Sequence, residues 1–272
     1  MGNQLLVTIT AGLAYLTGAV GSYLHIRYRP GWAPALVRVC TILGLCINLG
    51  YLSRSLWLVG VVATFQSNFD AALLLAFLLG LVGLGTHLAP TMRGLDGLLL
   101  LAAAGVEFSE LVVIRQPAVE TTGRPWFISH SLAFAGSAAF FIAGGAAGIA
   151  YLLVNRMLRR KRLGLVTKVP PLEALERYGR WMPIIGFPLF TFGILTGLCG
   201  VQHRRDIAAL AWYWDPTFVF SVLAWLVYAY LSWSLMYRPA VRGKRAATLA
   251  TYGLGLVVVA FLAREFLGPL HR

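Results

Sequence analysis

Long apolar runs, each close to twenty residues, alternate along the chain with short polar or basic connections. Eight of them, at 4–25, 34–53, 69–89, 95–114, 127–154, 182–202, 216–237 and 247–267, match the roughly 20 residues a helix needs to cross a bilayer core. Lipid offers the backbone no hydrogen-bond partner, so such runs predict helices rather than open strands. The expected fold is all-α: a polytopic integral membrane protein with about eight transmembrane helices and little chain left over for a soluble domain. Residues 1–125 form a four-helix part with short connections, and 126–272 form a second part with more distinctive ones. The first run has no basic leading segment, so it is expected to stay as a helix rather than be cleaved. "MGNQLL" also lacks the Ser or Thr at position six that N-myristoylation uses.

Composition agrees with this reading. The 272 residues are 58% hydrophobic and 12% charged, with a mean hydropathy of +0.74. The net charge of +13 changes the picture only through its placement. With the N-terminus outside, 16 of the 23 Lys and Arg residues fall in the inner connections, which is the positive-inside pattern. Topology accounts for the charge, and nucleic acid is not an expected partner. Both termini are then expected on the outer, periplasmic side, of a bacterial inner membrane. Cys40, Cys46 and Cys199 lie inside predicted spans without C-x-x-C spacing, so they read as small apolar side chains rather than redox thiols.

Two connections stand out. The inner one reads "NRMLRRKRLGLVTKVPPLEALERYGRW": its Pro pair breaks any helix, and "LEALERYGRW" resumes an amphipathic one suited to anionic headgroups. The outer one contains "AWYWDP", residues 211–216, between spans six and seven. His130 opens span five on the same side, and His271 follows span eight there. Tryptophan offers a stacking face and one N–H donor, at home where one side is dry and the other wet. Two imidazoles from separate elements can hold haem iron, and Arg204 and Arg205 could pair with propionates. Aromatic belts and helix-end histidines are also ordinary at bilayer interfaces, so spacing alone leaves both readings open.

Other polar residues sit within the spans. His87 and His25 lie near inner ends, where each could serve an internal haem or simply meet interfacial water. Glu107 and Glu110 share one face of span four, placed to carry protons, bind a cation or pair with Arg54, Arg115 or Arg264. No Gly-rich phosphate loop, H-E-x-x-H pattern or serine-nucleophile setting appears.

Over residues 126–271 the chain resembles the WWD-domain cytochrome c assembly proteins, the CcsA, CcmC and HemX-like haem handlers. Four segments carry the resemblance in order: "PPLEALERYGRWMPIIGFPLFTFGILTG", "AWYWDP", "AWLVYAYL" and "RGKRAATLATYGL". It implies that Trp212, Trp214, Asp215 and Pro216 belong to the tryptophan motif that holds haem, and that His130 and His271 are its outer axial ligands. It also implies a non-covalent haem b, resident or in transit, presented to apocytochrome c with a ResB/CcsB-like partner. Ala208 and Ala209 replace the motif's first W-G, and Thr217 and Phe218 its K-E. Ser232 and Trp233 stand where the family has a membrane histidine. The expected function is haem handling for cytochrome c maturation, with no residue assigned a catalytic role. The alternative is a non-catalytic membrane subunit that scaffolds a respiratory or photosynthetic electron-transfer complex. A small-molecule transporter is a third class, hinted at only by the span-four glutamates.

Overall fold

The computed structural model describes residues 2–113, 126–161, 169–202, 214, 216–238 and 242–266. Among these, eight helices follow in order: α1 (Gly2–Tyr28), α2 (Ala33–Gln66), α3 (Asn68–Leu88), α4 (Leu95–Val113), α5 (Trp126–Arg159), α6 (Leu172–Gln202), α7 (Pro216–Tyr237) and α8 (Lys244–Phe266). One short 3-10 turn, Pro90–Met92, links α3 to α4. Seven of the eight are long and apolar enough to cross a membrane. The eighth, α4, runs alongside α1 and α3 but carries Asp96, Glu107 and Glu110.

Local signals set several boundaries. Ser67 caps α3, its hydroxyl accepting from Asp70 N at 3.3 Å. Pro216 occupies the first position of α7, where no partner for an N–H is needed. Gly94 turns the chain into α4 at φ +104°, a conformation that side chains with a Cβ avoid.

Helices α1–α4 pack as one group and α5–α8 as another, joined by α5, which lies against α2, α3 and α4. The largest apolar cluster runs through both, from Leu79, Leu99 and Ala103 to Ala139, Ala143 and Ala147. In lipid, apolar burial no longer drives helices together, so close approach over small residues takes over. A Cβ on Gly44 or Gly80 would come within 2.7 or 2.8 Å of the Tyr15 ring, so these glycines let α2 and α3 close on α1. Gly148 does the same for α5 and α8, since its added Cβ would lie 2.8 Å from the Ala247 carbonyl.

Two helices are longer than their apolar runs. The amphipathic stretch at 172–181 joins the sixth span as one helix: Pro170 and Pro171 end before Leu172, and the helix runs on through Pro183 and Pro188. Helix α2 continues past residue 53 to a break at Gly60, where φ is 85° and ψ 164°. Trp57, just before it, is 89% exposed and so faces lipid or the interface.

The chain alternates direction. The C-termini of α1, α3, α5 and α7 and the N-termini of α2, α4, α6 and α8 gather at one end, as cross-helix bonds at both ends require. Arg29, Arg38, Arg93, Arg156, Arg177 and Arg245 all lie there, so we call it the basic end.

Candidate functional site

The end opposite the basic one carries His130. One turn into α5, it lies across the α5–α6 contact, and its Nδ1 donates to the Gly193 carbonyl at 2.8 Å. A carbonyl can only accept, so Nδ1 holds a proton. The Thr196 hydroxyl reaches the same carbonyl at 2.9 Å. The ring rests on a flat strip: an added Cβ at Gly197 would lie 2.9 Å from His130 Cε1, and one at Gly193 would lie 2.9 Å from Phe134. Phe134 tilts against the imidazole with centroids 5.0 Å apart. Ser131, next in sequence, donates to the Phe65 carbonyl at 2.6 Å and ties the start of α5 to the end of α2. His130 is half-buried, its orientation set from three sides. A histidine that ligates a metal characteristically has its other N–H held by such a carbonyl.

Trp214 stands just before α7 and is 74% exposed. The bonds Trp225 Nε1 to Thr191 Oγ1 (3.0 Å) and Ser232 Oγ to the Pro183 carbonyl (3.1 Å) give α6 and α7 an antiparallel register. That register brings Trp214 to the same end as His130. Trp212, Asp215, Arg204, Arg205 and His271 lie outside the described residues.

Deeper in this half the interior is filled by rings. Phe141 and Tyr228 stack at 3.5 Å and 7°, and Phe190 meets Phe141 edge-on. Ser232, where the resembled family has a membrane histidine, is buried and spends its hydroxyl on Pro183. Trp233 points outward, 44% exposed, beneath the Arg238 guanidinium at 4.5 Å.

At the basic end His87 is buried within a closed polar knot. Its Nδ1 meets Asp96 Oδ2 at 2.6 Å, and its Nε2 meets the Pro34 carbonyl at 3.2 Å. Asp96 Oδ1 also accepts from Ser22 (2.8 Å) and from Gly94 N (2.7 Å). Both ring nitrogens are thus engaged by oxygens of the protein. His87 therefore ties α2, α3 and α4 together, and Asp96 adds α1. His25 lines a nearby cavity of about 350 Å³ with Arg29, Thr91 and Arg93.

In the middle of α1–α4, Asn48 Nδ2 donates to Glu107 Oε1 at 2.7 Å and lies 3.4 Å from the Tyr15 hydroxyl. Glu110 is 1% exposed one turn further along.

Several of these residues carry no motif. The signal for Gly193 and Gly197 is their i, i+4 spacing in "FGILTG", a smooth stripe on an otherwise bulky helix. Asp96 and Asn48 show in the sequence only as polar residues in apolar runs, and their partners are 9 and 59 positions away respectively.

A sequence model of the family described as cytochrome C assembly protein matches residues 49–271. Among curated proteins, the chain is 36% identical over 100 residues to a cytochrome c biogenesis protein CcsA from Thermosynechococcus vestitus, covering 36% of this chain and 30% of that protein. Likewise named are a protein of Synechococcus sp. strain JA-3-3Ab, 38% identical over 89 residues (32% and 24%), and one of Porphyra purpurea, 29% identical over 133 residues (48% and 38%). The chain thus matches between about a quarter and two fifths of the length of these relatives. No solved structure matches.

Proposed function

Because the chain belongs to the cytochrome c assembly protein family, we propose that it holds haem b at the end of the bundle opposite its basic end and presents it for cytochrome c maturation. The observation that carries this is the His130 setting: Nδ1 fixed on the Gly193 carbonyl, the ring flat against Gly197, at a helix end beside water. That donor set fits an axial imidazole, whose basicity and angle are set by the outer hydrogen bond. His271 is the second ligand. Trp212 and Trp214 supply the stacking faces, Asp215 belongs to the same haem-holding motif, and Arg204 and Arg205 take the propionates. Haem, when bound, supplies the vinyl groups that thiols attack. The chain's part is to orient the plane and keep one edge open to a client.

The basic end faces the cytoplasm of a bacterial inner membrane, which puts His130, Trp214 and both termini outside. The partners in this reading are haem, an apocytochrome c, a ResB/CcsB-like protein and the bilayer. A second reading, a membrane subunit scaffolding an electron-transfer complex, draws on the ring-filled interior around Phe141 and Tyr228, which leaves α7 without an internal ligand.

The test is a reduced-minus-oxidised spectrum with a pyridine haemochrome count on detergent-purified protein. Wild type is expected to show one b-type haem, lost in His130→Ala and in His271→Ala while both variants stay folded. A folded wild type that copurifies with no haem and binds none when it is added sinks this reading in favour of the scaffold.

A further inference from the structure

Glu107 and Asn48 lie in the middle of α4 and α2, both completely buried. One hydrogen bond joins them, Asn48 Nδ2 to Glu107 Oε1 at 2.7 Å. That bond leaves one oxygen over on each group, Glu107 Oε2 and Asn48 Oδ1, and neither has a hydrogen-bond partner. An ionised carboxylate and an amide carbonyl are both acceptors, so in that state the two cannot satisfy each other. Carboxyl and amide are planar groups of the same shape. A proton on Oε2 turns the pair of leftover acceptors into a donor and an acceptor and closes an eight-membered ring with the existing bond.

Among the described residues, no cation is bonded to either group. The Tyr15 phenol of α1 lies 3.4 Å from Asn48 Nδ2, and the apolar cluster of this half holds the fully buried Ala11, Ala76 and Leu79. Asp70 and His87 on α3 sit at opposite ends of that helix, engaged with Ser55 and Asp96. On α4 itself the neighbour is another acid, Glu110, and Arg54 on α2 is exposed. Among the described residues the ion pair is His87 with Asp96 at the basic end. A bare carboxylate in this place would be a buried charge without a counter-ion, which is costly in lipid.

We propose that Glu107 and Asn48 form a proton-binding site inside the membrane part of the first four helices, with one proton held on Glu107 Oε2 and shared with Asn48 Oδ1. The proton comes from water and goes back to it, and no other bond changes. The pair is completely buried, so exchange of the proton with water needs the helices around it to part, and opening of this bundle is tied to proton release.

Infrared spectroscopy of the full-length purified protein at neutral pH reads the site. A hydrogen-bonded carboxylic-acid C=O stretch that shifts in heavy water is expected in wild type and lost in Glu107→Gln. The glutamine amide keeps the ring with Asn48, so its melting temperature is expected to match wild type. Should Glu107→Gln fail to fold, Glu110→Gln decides, because the acid band must persist there. The proposal is overturned if Glu107→Gln removes carboxylate stretches instead, if Glu110→Gln shows no acid band, or if sodium but not choline raises the wild-type melting temperature, which would make the ligand a metal cation.

Discussion

At the scale of single residues, the candidate site depends on what lies beneath it. Gly197 has no side chain because the His130 ring occupies that space, and a methyl group there would sit 2.9 Å from Cε1. Gly197→Ala is therefore expected to tilt the imidazole off the Gly193 carbonyl while α6 keeps its helix, alanine being the better helix former. Losing such an outer-shell constraint typically costs about 10–100-fold in affinity. A haem titration of this variant is the check, and wild-type affinity would show that the strip plays no part. His130 was legible from its place at the head of an apolar run. Its hydrogen bond was not, because the acceptor is a backbone carbonyl 63 residues away and any residue could provide it. His87 was read as either ligand or hydrated end residue. Only the fold shows Asp96 and Pro34 closing on both nitrogens.

At the scale of the helix, apolar run length located every span, and the lengths it missed have physical causes. A span count registers hydrophobicity, whereas a helix continues for as long as its backbone ladder does. Helix α6 thus starts ten residues before its apolar run. Inside it, Pro183 and Pro188 are tolerated, as proline often is where neighbouring helices can serve the freed groups. Ser232 on α7 ties to this stretch by donating to the Pro183 carbonyl. In α2 the limit is Gly60, whose φ of 85° with ψ of 164° falls in a region nearly confined to glycine. Nothing lies within 4 Å of a Cβ built there, so Gly60→Ala pays conformational strain alone. The expected cost is about 1–3 kcal/mol, seen as a lower melting temperature. An unchanged one would mean that α2 runs straight through this position without harm. Past the break, Thr64 donates back to the Gly60 carbonyl at 2.9 Å, and Phe65 receives Ser131, so the bend aims the end of α2 at the start of α5.

At the scale of the molecule, alternation of apolar runs and basic connections conveyed the all-helical class and the clustering of cations at one end. Hydropathy counts what each segment would do alone in lipid, which is why it says nothing about how the two four-helix groups meet. That contact lies in a cluster where Ala139, Ala143 and Ala147 of α5 join Leu79, Leu99 and Ala103, and the i, i+4 spacing of the α5 alanines does not say which helix they will meet. The resemblance covered the second group, while the family match reaches back to residue 49, into α2. The polar ties of the first group, Tyr15 with Asn48 and Glu107 and Ser22 with Asp96 and His87, join residues that no local window holds together.

The three carboxylates of α4 also bear on how the chain is made. A ribosome delivers α1, α2 and α3 to the membrane first, and with them Ser22, Asn48 and His87, the groups that receive Asp96 and Glu107. A translocon judging α4 by itself meets three acids, whose charged forms disfavour insertion most strongly toward a helix centre. Released late, among helices already waiting, the same segment finds its hydrogen bonds on arrival. Fused alone between glycosylation acceptor sites, α4 is expected to cross microsomal membranes in a minority of chains, and in most chains when α1–α3 precede it. Equal crossing with and without α1–α3 would mean that α4 integrates unaided, and that the earlier helices serve it only after synthesis is complete.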